Sequence, residues 1–287
     1  MFRFRKTHPC RDPFARVPEQ VRNRFFRFRK THPPRMLTLD GHEWPWIAVG
    51  EGPRAVVLLH GMAGALDFWW LAIEALQDRF RLLAMTYPPV RGLEAHARGI
   101  VALMDEAGMD RAAVVGTSMG GYLAQYLVST RAERFRAAVL GNTFPPNEHL
   151  RRQNRLLLRL LPCLPEGLIM AQMRRHTEKM IYPAAGHSEL VRAMLLEQYC
   201  GRMRKAHVIA RAHTVLEPFA LRAEAALPVC IIESDNDPLV PPVLREQLTQ
   251  AWPQAEVHTL HGAGHFGYLN RPDEYIGILA DFLERHA

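Results

Sequence analysis

Ser118 lies between two glycines in Gly116-Thr117-Ser118-Met119-Gly120, where an apolar run over 112–115 gives way to helical spacing of Tyr122, Leu123, Tyr126 and Leu127. A residue at such a strand-to-helix turn is forced to positive φ. Flanking glycines let strand and helix close around it, which lifts the side chain above the sheet edge. The chemistry on offer is nucleophilic attack by a hydroxyl. Composition alone yields roughly 0.02 Gly-x-Ser-x-Gly patterns in a chain of this kind. A serine hydroxyl is inert near neutral pH unless a base takes its proton, so the motif calls for a histidine and an acid elsewhere. Two aspartates, Asp235 and Asp237, stand in the turn-rich loop 234–241, directly after the apolar run 228–233. His265 stands among glycines in 261–267, after the alternating run 255–260. The order along the chain is Ser, Asp, His. His258 falls inside the strand pattern and His261 at its exit, where structural or solvated roles are expected.

The elements that must hold these groups follow from periodicity. A hairpin is expected over 36–49, strands over 55–59, 81–87, 112–115, 137–142, 228–233 and 255–260, and helices over about 68–77 and 94–107, the latter stopped by Gly108. A closing helix from 272 onward aligns Tyr275, Ile276, Leu279 and Leu283 on one face. This alternation predicts an α/β fold with one predominantly parallel, doubly wound sheet covered on both sides. Ser118, Asp237 and His265 all follow strand ends, where ligands gather in such sheets.

About 80 residues separate the strand ending near 143 from the one starting near 228, too many for a loop, and they predict a helical cap over 145–227. Leu156, Leu157, Leu160 and Leu161 form one expected apolar stripe, and Leu190, Met194, Leu195 and Tyr199 another. The segment holds 13 Lys and Arg against 7 Asp and Glu. Arg151, Arg152, Arg155 and Arg159 stand at helical spacing. They read either as a solvated face or as a site attracting a carboxylate- or phosphate-bearing substrate.

These motifs together resemble the α/β-hydrolase fold superfamily from about Met36 to the C-terminus, with a core over 36–144 and 228–287. That family carries an HGxxG loop after its third strand, matched here by His60-Gly61-Met62-Ala63-Gly64. It carries the serine elbow, an aspartate before a hydrophobic-Val-Pro segment, matched better by Asp237 than by Asp235, and a terminal GxGH loop ending at His265. The resemblance implies Ser118 as nucleophile, His265 as base, Asp237 as orienting acid, and an oxyanion hole from the backbone N–H groups of Met62 and Met119. It implies a carboxylesterase-like hydrolase cleaving an ester or thioester through an acyl-enzyme. C–C bond hydrolysis by the same triad is the alternative chemistry.

One stretch departs from the family pattern. Met85-Thr86-Tyr87-Pro88-Pro89-Val90-Arg91-Gly92 replaces the usual aspartate and glycine-rich turn after the fourth strand. With Leu-Ala-Gln after the elbow and Gly141-Asn142-Thr143-Phe144, it partly resembles maspardin, a subgroup regarded mainly as interaction proteins. That likeness implies a non-catalytic Ser118 and a cap that docks a protein. Asp237 and His265, both in catalytic context, speak against it.

Residues 1–35 differ in kind. FRFRKTHP occurs at 2–9 and again at 26–33, and the segment holds 11 Lys and Arg against Asp12 and Glu19. The segment therefore carries +9 and the remainder −2, which together give the formal net charge of +7. A basic, disordered and dispensable extension is expected, with a nucleic-acid or anionic-membrane arm as the other reading. No nucleic-acid partner is expected of the core. No apolar run reaches the ~18 residues of a membrane span. Cys10, Cys163, Cys200 and Cys230 show no paired spacing, no His/Cys cluster has metal-ligand spacing, and GxGxxG and Walker loops are absent. A cytoplasmic enzyme without cofactor or metal, acting on a small acyl substrate, is the expectation.

Overall fold

The computed structural model describes residues 12–223 and 226–287. Eight strands form one sheet: β1 (Arg35–Leu39), β2 (His42–Val49), β3 (Arg54–Leu59), β4 (Phe80–Met85), β5 (Ala112–Thr117), β6 (Phe135–Gly141), β7 (Val229–Ser234) and β8 (Glu256–Leu260). Their order is β1-β2-β4-β3-β5-β6-β7-β8, with β2 antiparallel to β1 and β4 and every later pairing parallel. β5, at the centre, is buried at all six positions. Helices on both faces leave such a strand no solvated side, so its sequence reads as an unbroken apolar run. Edge strand β8 alternates instead.

Alternate residues of each strand feed two cores. Val56 and Leu58 of β3 point to one, shared with α2 (Trp70–Leu76) and the C-terminal α12 (Pro272–His286). Ala55, Val57 and Leu59 point to the other, shared with α3 (Leu93–Glu106), α4 (Met119–Thr130) and α10 (Pro242–Ala251). The expected closing helix buries Tyr275, Leu279 and Leu283, as its spacing requires.

Between β6 and β7 the chain forms a helical insert: α5 (Glu148–Leu160), α6 (Glu166–His176), the short α7 (Tyr182–Ala184), α8 (Glu189–Glu197) and α9 (Lys205–Val215). A π-helical turn interrupts it at Thr177–Ile181, and the winding that continues α8 over Gln198–Arg202 breaks at Gly201, at φ 150°. Of the two expected stripes, Met194, Leu195 and Tyr199 are buried. The other does not pack: Leu156, Leu157 and Leu160 are 66%, 52% and 49% exposed, and only Leu161 is buried. Along α5 the half-buried positions are Leu150, Asn154 and Leu158 instead, and the helix packs on α9 of the same insert. Its leucine stripe is thus left exposed.

The N-terminal expectation needs a larger correction. The first copy of FRFRKTHP lies outside the described residues, but the second belongs largely to α1 (Glu19–Thr31), which is folded onto the body. Phe25 and Phe28 are buried, as are Phe14 and Val17 just before the helix. Phe25 meets the Trp70 ring at 5.5 Å. Burying each phenylalanine contributes about 1.5–3 kcal/mol. Arg29 crosses the Phe25 ring at 4.2 Å and donates from Nε to Asp67 Oδ2 at 2.7 Å and from Nη1 to Glu197 Oε1 at 2.8 Å. Residues 12–35 are therefore not a disordered arm. Val21, Phe25 and Phe28 recur at helical spacing, a period masked by the dense arginines. Among the described residues, no helix is long and apolar enough to cross a membrane.

Candidate active site

Ser118 joins β5 to α4 at φ 54°, ψ −121°, a conformation that strains any non-glycine residue. The turn admits this only because strand, helix and neighbouring loop nearly touch. A Cβ on Gly116 would sit 2.1 Å from Gly120 O, and one on Gly120 would sit 2.1 Å from Leu59 O. Ser118 N–H donates to Gly141 O at 2.8 Å, and Thr143 Oγ1 donates to Ser118 O at 2.7 Å, so the end of β6 and the loop after it hold the elbow on both sides. Met119 opens α4, so its N–H has no acceptor within the helix.

The loop after β3 lies against the serine: a Cβ on Gly61 would be 3.1 Å from Ser118 Cβ and 3.7 Å from its Oγ. His60 is fully buried, and burial together with the Arg211 charge pushes its pKa well below the usual value, so the ring is neutral. Its Nδ1 donates to Gly61 O at 2.7 Å, and its Nε2 accepts from Tyr87 N–H at 3.4 Å, which fixes the tautomer. Gly64 N–H also donates to Gly61 O, at 3.0 Å. Because peptide C=O and N–H point opposite ways, holding the Gly61 carbonyl back turns the Met62 N–H the other way.

The acid and the histidine come from the loops after β7 and β8. Asp237 and His265 are both buried, and His265 Nδ1 lies 2.8 Å from Asp237 Oδ2 and 3.0 Å from Oδ1. Oδ1 also accepts from Leu239 N–H at 2.8 Å and Val240 N–H at 3.2 Å, and Oδ2 from the Asn142 side chain at 2.8 Å. Burial alone would raise the Asp237 pKa. The His265 charge and hydrogen bond, with the Leu239 and Asn142 donors, outweigh it and hold the carboxyl below its ordinary range. An ionised Asp237 accepts the Nδ1 proton of His265, which leaves Nε2 as the basic nitrogen. Of the two aspartates in this loop, Asp237 is the one that meets His265, whereas exposed Asp235 bonds His261 Nδ1 and Gly262 N–H, both at 2.8 Å.

Ser118 and His265 line one cavity of about 280 Å³, together with Gly61 and Met62. Among the described residues Ser118 Oγ makes no hydrogen bond. The insert supplies the opposite wall, mainly Met173, Ile181, Leu195 and Tyr199. His176 also faces the cavity, its pKa lowered by burial and by the His265 charge. A larger open groove of about 810 Å³ lies elsewhere, lined by Arg91, Arg151, Arg152, Arg155, Arg159 and His213. It contains neither Ser118 nor His265. The cap arginines singled out in the sequence therefore do not line the serine cavity.

Two residues of the site carried no sequence signal of their own. Asn142, at φ 41° after β6, reaches Asp237 from a strand exit. Arg211 of α9 enters the serine loops from the insert. Among the described residues, no group of three or more His, Cys, Asp or Glu side chains is arranged to hold a metal.

A family model described as alpha/beta hydrolase fold matches residues 54–272. The esterase YbfF of Escherichia coli (strain K12) is 22% identical over 237 residues, spanning 79% of this chain and 92% of the esterase. Among solved structures, a hydrolase from Pseudomonas aeruginosa PA01 superposes with a TM-score of 0.76 at 20% identity, covering 88% of this chain and 98% of that one. The enol-lactonase from Burkholderia xenovorans LB400 gives 0.73 at 21% identity, covering 87% and 100%. These matches give no support to the narrower maspardin likeness. The Tyr-Pro turn that suggested it has a packing explanation, since the Tyr87 ring lies 3.9 Å from His60 and 5.2 Å from His96.

Proposed function

This chain belongs to the α/β-hydrolase fold family, and on that premise we propose that it is a serine hydrolase that cleaves a carboxylic ester or thioester through an acyl-enzyme. The observation that carries the reading is the buried His265–Asp237 pair, whose histidine opens onto the same cavity as the elbow serine. Ser118 Oγ attacks the substrate carbonyl carbon while its proton passes to His265 Nε2. The carbonyl oxygen, now an oxyanion, takes hydrogen bonds from the N–H groups of Met62 and Met119. Collapse breaks the bond to the leaving group, which receives the proton from His265. Water then repeats the sequence, releasing the acid and restoring Ser118.

The cavity volume is at the lower edge of ordinary ligand sites and its walls are mainly apolar, which favours a short, uncharged acyl group. A curated relative is an esterase, in line with this choice. The test is labelling with a fluorophosphonate and hydrolysis of p-nitrophenyl esters of increasing acyl length, beside Ser118→Ala. The wild type should label and turn over short esters, and the variant should do neither, with kcat down at least ~10⁴-fold. Labelling that survives in Ser118→Ala, or a wild type inert to every ester, overturns the proposal.

A further inference from the structure

Arg211 is 1% exposed, and among the described residues no carboxylate bonds it. Burial lowers its pKa to about 10, still far above neutrality, so a full positive charge is retained. Its hydrogen bonds go to backbone carbonyls: Nη1 to Met62 O at 2.8 Å and Gly64 O at 3.1 Å, Nη2 to Tyr87 O at 2.9 Å. A cation buried without a counter-charge is disfavoured. Here its compensation comes from the two loops beside the serine. Those loops belong to the sheet core, whereas Arg211 belongs to the insert.

The contacts close a circuit. Arg211 holds the carbonyls of Met62 and Tyr87. Tyr87 N–H bonds His60 Nε2, and His60 Nδ1 bonds Gly61 O. The peptide plane before Met62 is thus fixed through the Gly61 carbonyl and the plane after it through the Met62 carbonyl. Fixing both planes fixes φ and ψ of Met62, and with them the direction of its N–H.

We propose that Arg211 is a positioning residue through which the helical insert sets the oxyanion-holding loop, so that the insert contributes to turnover as well as to the shape of the cavity. This rests on the serine-hydrolase reading for its effect on rate, but not for its effect on the loop. Arg211 does not line the cavity, so its loss should act on turnover rather than on substrate affinity. Carbonyl-to-guanidinium bonds need a forked donor, and lysine can reach one carbonyl with its charge but not all three.

The experiment compares wild type, Arg211→Met and Arg211→Lys. Active sites are titrated with a fluorophosphonate so that kcat refers to competent molecules, and backbone hydrogen exchange is followed across 61–65. Arg211→Met should lower kcat about 10²-fold with KM within about threefold, as loss of an oxyanion donor does. Arg211→Lys should recover part of it. Exchange across 61–65 should quicken in both variants while central β5 stays protected. An unchanged kcat per titrated site, or a raised KM at unchanged kcat, overturns the proposal, because a merely structural arginine would lower only the melting temperature. If the wild type itself neither labels nor turns over, the hydrolase reading fails, and exchange across 61–65 still decides the role of Arg211: unchanged exchange rejects it. Should Arg211→Met not fold, Arg211→Lys carries the same measurements.

Discussion

Asn142 donates from its side-chain amide to Asp237 Oδ2 at 2.8 Å, on the carboxylate oxygen nearer His265 Nδ1. Both partners are buried, so this bond to a charged acceptor is shielded from water. Asn142→Ala should cost about 1–3 kcal/mol of stability, read by chemical denaturation at neutral pH. A loss below about 0.5 kcal/mol would mean that water replaces the amide without penalty.

The same carboxylate gives a pH dependence. Asp237 has a folded pKa below its ordinary 3.8, so the unfolded chain binds its proton more readily than the folded one. Its contribution to stability is complete above the unfolded value and is lost as pH falls through the folded value. Stability measured from pH 6 downward should fall less steeply below about pH 4 in Asp237→Asn than in wild type. Parallel curves would place the acid sensitivity in other groups.

Residues 12–31 should behave as part of the core. Phe25→Ala should lower stability by about 3–4 kcal/mol. Removing residues 1–32 should expose Trp70 to water, shift its fluorescence to the red, and lower the melting temperature. A truncated chain that melts with the wild type would restore the view of this segment as dispensable.

Gly120 tests the elbow's steric argument. A Cβ there meets the backbone oxygen of Leu59, which cannot swing aside as a side chain can. Gly120→Ala should cost about 3 kcal/mol, a fall of roughly 6–12 °C in Tm. Calorimetry reads this directly, and a fall under about 2 °C would show that the β3 exit yields.

The insert arginines should be indifferent to substrate charge. Arg152 and Arg155 line a groove separate from the serine cavity, and exposed charges act weakly beyond the Debye length of about 8 Å. Reversing both to glutamate should change kcat/KM for acidic and neutral short esters by less than about twofold. Selective loss with acidic esters would reconnect the groove to the reaction.

The legibility of the site followed from how locally each part is determined. The Ser118 elbow is dictated by glycines four residues apart, and the strands around it by runs of apolar residues, so both could be read from the chain. Asp237 and His265 follow strand ends that the same patterning marks. Asn142 and Arg211 depend on which strand exits and insert helices become neighbours, and a polar residue at a strand end looks the same whether or not an aspartate 95 positions later will meet it. The Leu156 stripe misled in the opposite direction. Its spacing specifies one apolar face, but not whether another element arrives to cover it. In α1, Phe25 and Phe28 were hidden among arginines, whose chains lie over the aromatic rings while their heads reach carboxylates.

The π turn of the insert places Thr177 and Ile181 in the wall opposite the serine. A π turn carries one residue more than an α turn. Deleting a single residue there would restore ordinary winding and rotate the following side chains by about 100°. The chemistry-bearing loops would keep their positions on the sheet. The cavity wall is therefore adjustable by chain length rather than by residue identity, a mode of divergence that alters what fits without disturbing what reacts.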